Sequence, residues 1–146
     1  MILVLDASVV LKWLFDDPDS EPLTQEATEL VENAINEHQV LQPVHWLVEV
    51  AAVLARKPPK TAEHSIKLLD ALGWETVNTP EVMNRACRLS VELDHHLFDT
   101  LYHAVALDRE ALLLTGDQRY LMKAQSLGRV CGLGAWREGL AEAEGD

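Results

Sequence analysis

Cationic side chains are scarce in this chain: 12 Lys and Arg stand against 24 Asp and Glu, for a formal net charge of −12. Proteins that clamp nucleic acid passively carry a basic footprint, because neutralising phosphates supplies most of their affinity. No basic patch with interleaved aromatics is present, and aromatics make up only 5% of residues. That deficit argues against a strong, non-specific nucleic-acid binder, but is compatible with an enzyme that meets a polyanion at a metal centre or with a protein that has a basic partner. Cysteine is equally sparse. Cys87 and Cys131 sit among apolar neighbours without Cys-x-x-Cys spacing, which excludes a disulfide framework or zinc knuckle and predicts two buried, reduced thiols. Long apolar runs are missing: nothing approaches the roughly 20 residues that cross a bilayer. Ile2 to Leu5 is too short for a secretory h-region and lacks a basic n-region. The expectation is a cytoplasmic protein with no membrane partner.

What remains is a chain of 146 residues, read as one domain over 1–146 with an acidic C-terminal tail over 138–146. Short apolar strands alternate with amphipathic helices. Ile2 to Leu5 reads as a strand buried on both faces, followed by a helix over Ser8 to Phe15. A breaker-containing loop, Asp16 to Ser20, precedes a helix from Glu21 to about His38. Val40 to Gln42 is a second strand, and Pro43 opens a helix over Val44 to Arg56 that is apolar nearly all round, hence central. After Lys57-Pro58-Pro59-Lys60, Thr61 N-caps a helix that Gly73 terminates, and Trp74 to Val77 forms a strand. Helices over Pro80 to Asp94 and Phe98 to Arg109, a strand over Ala111 to Thr115, a helix over Gln118 to Leu127, an edge strand over Val130 to Leu133 and a short last helix complete the pattern. Such alternation predicts an α/β fold, its mostly parallel sheet of about four to five strands covered by helices on both sides.

Four acids occupy places where apolar segments end or turn inward. Asp6 follows the first strand, and Asp117 follows the later one after only Thr115-Gly116. If those strands are parallel neighbours, both carboxylates reach the same sheet edge, where ligands of open parallel sheets collect. Asp99 lies in the first turn of its helix, where the dipole favours negative charge. Glu49 stands among Leu47, Val48, Val50 and Ala51, and its same-face neighbours at helical spacing are His45, Trp46, Ala52 and Val53. A carboxylate there is costly unless solvated, paired or bound to a metal. Four oxygen donors fit a hard cation such as Mg2+ or Mn2+ and the hydrolysis of a phosphodiester. Taken alone, the same residues fit unrelated surface and capping acids equally well.

Val4-Leu5-Asp6-Ala7-Ser8 with Lys12-Trp13, the Glu49 helix beginning near Pro43, Phe98-Asp99-Thr100-Leu101-Tyr102-His103-Ala104, and Leu114-Thr115-Gly116-Asp117 form an ordered set. In order and approximate spacing it resembles the PIN-domain nucleases, in particular the VapC-type toxins, and it spans residues 4 to 117. Any one segment is weak; the ordered set is fairly specific. The resemblance implies a three-layer Rossmann-like PIN domain and a divalent-metal-dependent endoribonuclease using Mg2+ or Mn2+. It also implies an RNA substrate, a small cognate antitoxin with a basic segment, and a homodimer. Asp6, Glu49, Asp99 and Asp117 would hold the metal, and Ser8 would help order Asp6 or a water on the metal. Some relatives carry a further acid shortly after the last aspartate; Gln118, Arg119 and Tyr120 stand here, which leaves one metal or two open. Two other readings are a catalytically idle PIN-like protein- or RNA-binding module, which the net acidity favours, and a receiver-like signalling domain, whose late strand-end lysine is not evident.

Several other residues admit more than one role. His95 and His96 with His103 read as a loop pair plus a helix-face histidine rather than a ligand set. His103, one turn after Asp99, approaches the acids or bonds within its helix, and His45 lies one turn before Glu49; either supports a ligand, though packing is the better reading for both. Arg119 contacts either a phosphate, a partner's acid or solvent, and Lys12 faces the same choice. Ser8 lacks the Gly-x-Ser-x-Gly elbow of a hydrolase nucleophile. The tryptophans read as core or interface anchors, with Trp13 and Trp46 in apolar helices.

Overall fold

A computed structural model describes residues 1–19 and 22–145. Its core is a five-stranded sheet in the order β3-β2-β1-β4-β5, with every pairing parallel. The strands are β1 (Ile2–Leu5), β2 (Gln39–Pro43), β3 (Glu75–Val77), β4 (Leu112–Thr115) and β5 (Val130–Gly132). Eight α-helices are seen among the described residues: α1 (Ala7–Phe15), α2 (Thr24–Glu37), α3 (Trp46–Leu54), α4 (Pro59–Ala71), α5 (Pro80–Leu93), α6 (Leu97–Asp108), α7 (Gln118–Ala124) and α8 (Trp136–Gly145). This is the α/β architecture the alternation predicts.

The chain steps from β1 to β2 to β3 in one direction, then returns across the sheet to place β4 on the other flank of β1. Right-handed crossovers therefore put α1 to α4 on one face and α5 and α6 on the other. The reversal leaves a crevice beyond the carboxyl ends of β1 and β4, the usual ligand position in open parallel sheets. Register across it is tight: Leu3, Val4 and Leu5 pair with Leu112, Leu113 and Leu114, and Asp6 N–H continues the ladder to Leu114 O at 3.0 Å. On the other flank, β1 ends before β2 does. The buried Gln42 side chain covers the gap, accepting from Leu5 N–H and donating to Leu5 O, both at 2.8 Å. The backbone entering Asp6 is thus held from both sides.

Several local expectations change. Pro43 closes β2, in register with Val77, instead of opening a helix, since the end of a strand no longer needs its missing N–H. Thr61 is not an N-cap. α4 starts at Pro59, whose fixed φ suits a first helical position, and the Thr61 hydroxyl donates back to Pro58 O. α3 is not central: it buries Trp46, Val50 and Leu54, while Val44 and Val48 are exposed. That role belongs to α6, in which all seven residues from Thr100 to Ala106 are buried. Its small Ala104, Ala106 and Thr100 permit close approach to β1, β2 and β4. Neither thiol is buried as expected: Cys87 is exposed on α5, and Cys131 is half-buried on β5 against Gly139. Trp46 is buried and meets Trp74 at a tilt of 42°, and Trp13 is partly buried against the core. The acidic terminal stretch is largely helical, within α8. The start expected for the second helix, Glu21, lies outside the described residues; within them α2 begins at Thr24. No helix among the described residues is long and apolar enough to cross a membrane.

Candidate metal centre

Each of the four acids is set by a different element. Asp6 is the N-cap of α1, and its Oδ2 accepts from Ser8 N–H at 3.0 Å and from the Ser8 hydroxyl at 2.5 Å. Ser8 Oγ in turn accepts Gly116 N–H at 2.9 Å, tying the turn after β4 to the turn after β1. The space beside Gly116 is narrow: a Cβ there would lie 3.2 Å from Lys12 Cε and 3.3 Å from Ser8 Oγ. Asp117 caps α7, accepting Tyr120 N–H at 3.1 Å, and its own N–H donates to the Thr115 hydroxyl at 3.0 Å. Glu49 is half-buried on α3, where Tyr102 of α6 donates its hydroxyl to Oε1 at 3.4 Å. Asp99 stands in the first turn of α6.

Electrostatics tie the four together. Burial pushes the Asp6 carboxyl from its ordinary 3.8 up to about 7; the two Ser8 bonds oppose that rise, and the Asp99 and Glu49 charges add to it. Asp99 is also raised, first by burial and then by Glu49, with His95 opposing and Asp117 adding. The Tyr102 hydroxyl is pushed well above its usual range by burial and by the same acids. Carboxyls raised by burial and by neighbouring acids are donors short of positive charge, and a hard divalent cation fits them.

One further residue joins them. His95 Nε2 lies 2.8 Å from Asp99 Oδ2 and 3.9 Å from Asp117 Oδ2, so the three side chains present ligand atoms within 4.8 Å of one another. Its ring is fixed: Lys123 Nζ sits 3.3 Å from Nδ1, and the ring meets Tyr120 edge-on at 4.9 Å. An ammonium only donates, so Nδ1 accepts and Nε2 carries the hydrogen that goes to Asp99. In this arrangement His95 aims the Asp99 carboxylate as an outer partner of a ligand does. The reading of His95 as half of a loop pair misses this. The one available signal is its spacing of four residues from Asp99, which His45 and Glu49 share.

His45 repeats the theme more loosely. Its Nε2–H donates to Phe98 O at 2.9 Å and lies 3.3 Å from Glu49 Oε2, while its ring stacks on Phe98 at 5.2 Å. His103 is a packed residue rather than a neighbour of the acids. Fully buried, it bonds Tyr120 Oη and Gly128 O, both at 2.8 Å, and burial lowers its pKa. It pins α7 and the turn after it onto α6.

The PIN domain family profile matches residues 3–125, and the chain belongs to that family. Solved structures share the fold at low identity. A chain of the VapBC2 structure from Rickettsia felis, bound to a DNA fragment from its promoter, aligns at TM-score 0.68 and 14% identity over 90% of this chain and 98% of that one. PAE2754 from Pyrobaculum aerophilum aligns at TM-score 0.67 and 16% identity, over 97% and 96%. A toxin–antitoxin complex from Klebsiella pneumoniae gives TM-score 0.65 and 18% identity, over 90% and 97%. Among curated proteins nothing matches.

Proposed function

We propose that this protein is a divalent-metal-dependent endoribonuclease and the toxin half of a toxin–antitoxin pair. What supports the reading is the cluster of Asp99, Asp117 and His95 ligand atoms within 4.8 Å of one another, with Asp6 and Glu49 close enough for their charges to act on it. Membership of the PIN family supports nuclease chemistry, and the donor set suits Mg2+ or Mn2+. Such a cation, when bound, supplies the Lewis acidity and charge neutralisation that phosphodiester hydrolysis needs. The four carboxylates would hold it. Ser8 fixes the rotamer of Asp6, His95 orients Asp99, and Tyr102 steadies Glu49. Held in this way, the donors need little rearrangement when a phosphodiester arrives.

The toxin assignment draws on the two similar chains that come from VapBC2 and from a toxin–antitoxin complex. A cognate antitoxin with a basic segment would complement the acidic crevice. The exposed Val44 before α3, and the exposed Val48 and Phe98 on the first turns of α3 and α6, offer it apolar contact nearby. Self-association into a homodimer belongs to the same proposal.

Incubating the purified protein with single-stranded RNA and Mn2+ tests the activity. Wild type should cleave, leaving 5′ phosphates, and Asp99→Asn should lose at least about a hundredfold in rate, worth ~2.7 kcal/mol of transition-state stabilisation. Cleavage by the variant at the wild-type rate would remove Asp99 from the machinery. No cleavage by wild type would leave a PIN domain used for binding alone.

A further inference from the structure

The acid crevice repels the polyanion it is proposed to cut, and two cations of α7 stand beside it. Arg119 and Lys123 lie four residues apart on α7, hence on one face, and both line a cavity of about 410 Å³ with Ser90, Asp94, His95 and His96. We infer that this cavity is a subsite for a backbone phosphate of the RNA strand, next to the phosphodiester held at the acids; the inference rests on the nuclease reading above. His95 connects the two places, since it lines the cavity and touches Asp99 and Asp117.

Lys123 is built into position. Its ammonium donates to Asp94 O at 2.7 Å and to His95 Nδ1 at 3.3 Å, which leaves one of its three hydrogens for a ligand. Arg119 is exposed and its side chain makes no hydrogen bond or ion pair among the described residues, so its planar fork is available to two phosphate oxygens. Asp94 is the one carboxylate among the lining residues, and the two cations outnumber it. The His96 ring, exposed at the rim, offers a flat surface to a base. A strand held here by one phosphate can present the adjoining phosphodiester to the carboxylates past His95.

Fluorescence anisotropy with fluorescein-labelled octauridine tests this, with Ca2+ as the cation and gel analysis to verify that the probe stays intact. Wild type, Arg119→Ala, Lys123→Met and the remote control Lys60→Ala are each titrated across a range of salt. Arg119 touches nothing structural, so its variant keeps the wild-type melting temperature even if Lys123→Met does not. Each cavity variant should bind several-fold more weakly, with the slope of log affinity against log salt shallower by about 0.7, the value for one phosphate contact on a single strand. The control should match wild type. If wild type cleaves RNA and both cavity variants keep its affinity and slope, the subsite is overturned and the nuclease reading stands. If wild type neither binds nor cleaves RNA, both fall together. Variants that lose orthophosphate or polyglutamate binding but keep the RNA slope would assign the cavity to a free anion or an acidic protein segment, and overturn it as well.

Discussion

Replacing Asp6 by Asn should raise the melting temperature of the metal-free protein, and only toward neutral and alkaline pH. Asp6 is 8% exposed as a residue, and burial lifts its carboxyl pKa from 3.8 to about 7. An acid raised in this way keeps its proton longer in the folded state than in the unfolded one. As pH climbs through 3.8 the unfolded chain ionises first, so native stability falls until the folded group also ionises near 7. Beyond that point the full loss applies, on the order of 4 kcal/mol for a displacement of this size. The Asn side chain keeps the shape and an oxygen to accept Ser8 N–H, but carries no charge. For a domain of this length each kcal/mol moves the midpoint by about 2–4 °C, so the variant should melt roughly 10 °C above wild type in EDTA at about pH 8. Near pH 4 the two curves should meet. A cation that binds only the folded state adds about 2.7 kcal/mol at a concentration a hundredfold above its Kd, so Mn2+ should stabilise wild type strongly and the variant less. Far-UV circular dichroism melts at the two pH values, with EDTA or Mn2+, measure all of this. An Asn variant that melts no higher than wild type in EDTA at about pH 8 would refute the claim that the Asp6 charge is held at a cost for the sake of a ligand.

Two further outcomes follow from the packing. Gln42→Leu strands the N–H and C=O of Leu5, and each buried orphan costs about 1–3 kcal/mol, so urea midpoints should fall sharply; if the change is neutral, water replaces the amide. Gly139→Ala would set a Cβ 2.3 Å from Cys131 Sγ, an overpacking worth about 1–3 kcal/mol; the loss should shrink in a Cys131→Ala background, and an additive double-mutant cycle would rule out the contact.

The positions of Asp6 and Asp117 could be read from the sequence because period and composition mark buried parallel strands, and an acid directly after such a strand has one place to go. Glu49 stood out by its apolar neighbours. The same apolarity misplaced α3 at the centre, because composition cannot tell a helix covered on all sides from one that leaves Val44 and Val48 exposed. α6 is more deeply buried, yet its Asp99, His103 and Asp108 made it read as an ordinary amphipathic helix. His95 was hidden for a different reason. Asp94 adopts a left-handed conformation, φ 49°, that turns the chain after α5 and lays His95 back over Asp99, and the second partner of His95 is Lys123, 28 residues further along. Neither a backbone reversal at a non-glycine residue nor a contact of that span leaves a periodic trace. The cavity between α5, α6 and α7 was illegible for the same reason, although Arg119 was singled out.

The strand order also dictates when the acid cluster can come into being. β1 is made before the other four strands of the sheet, but its place is in the middle, and the flank facing the crevice is filled only by β4, at residues 112–115. Before that, Asp6 N–H has no Leu114 carbonyl to hold it, Ser8 Oγ has no Gly116 N–H, and Asp117 has not been made. The nascent chain therefore carries Asp6, Glu49 and Asp99 with no frame to bring them together. A fragment that stops anywhere in the first hundred residues lacks the site altogether. Assembly of the cluster therefore waits, by topology alone, until residues 112–117 have been made.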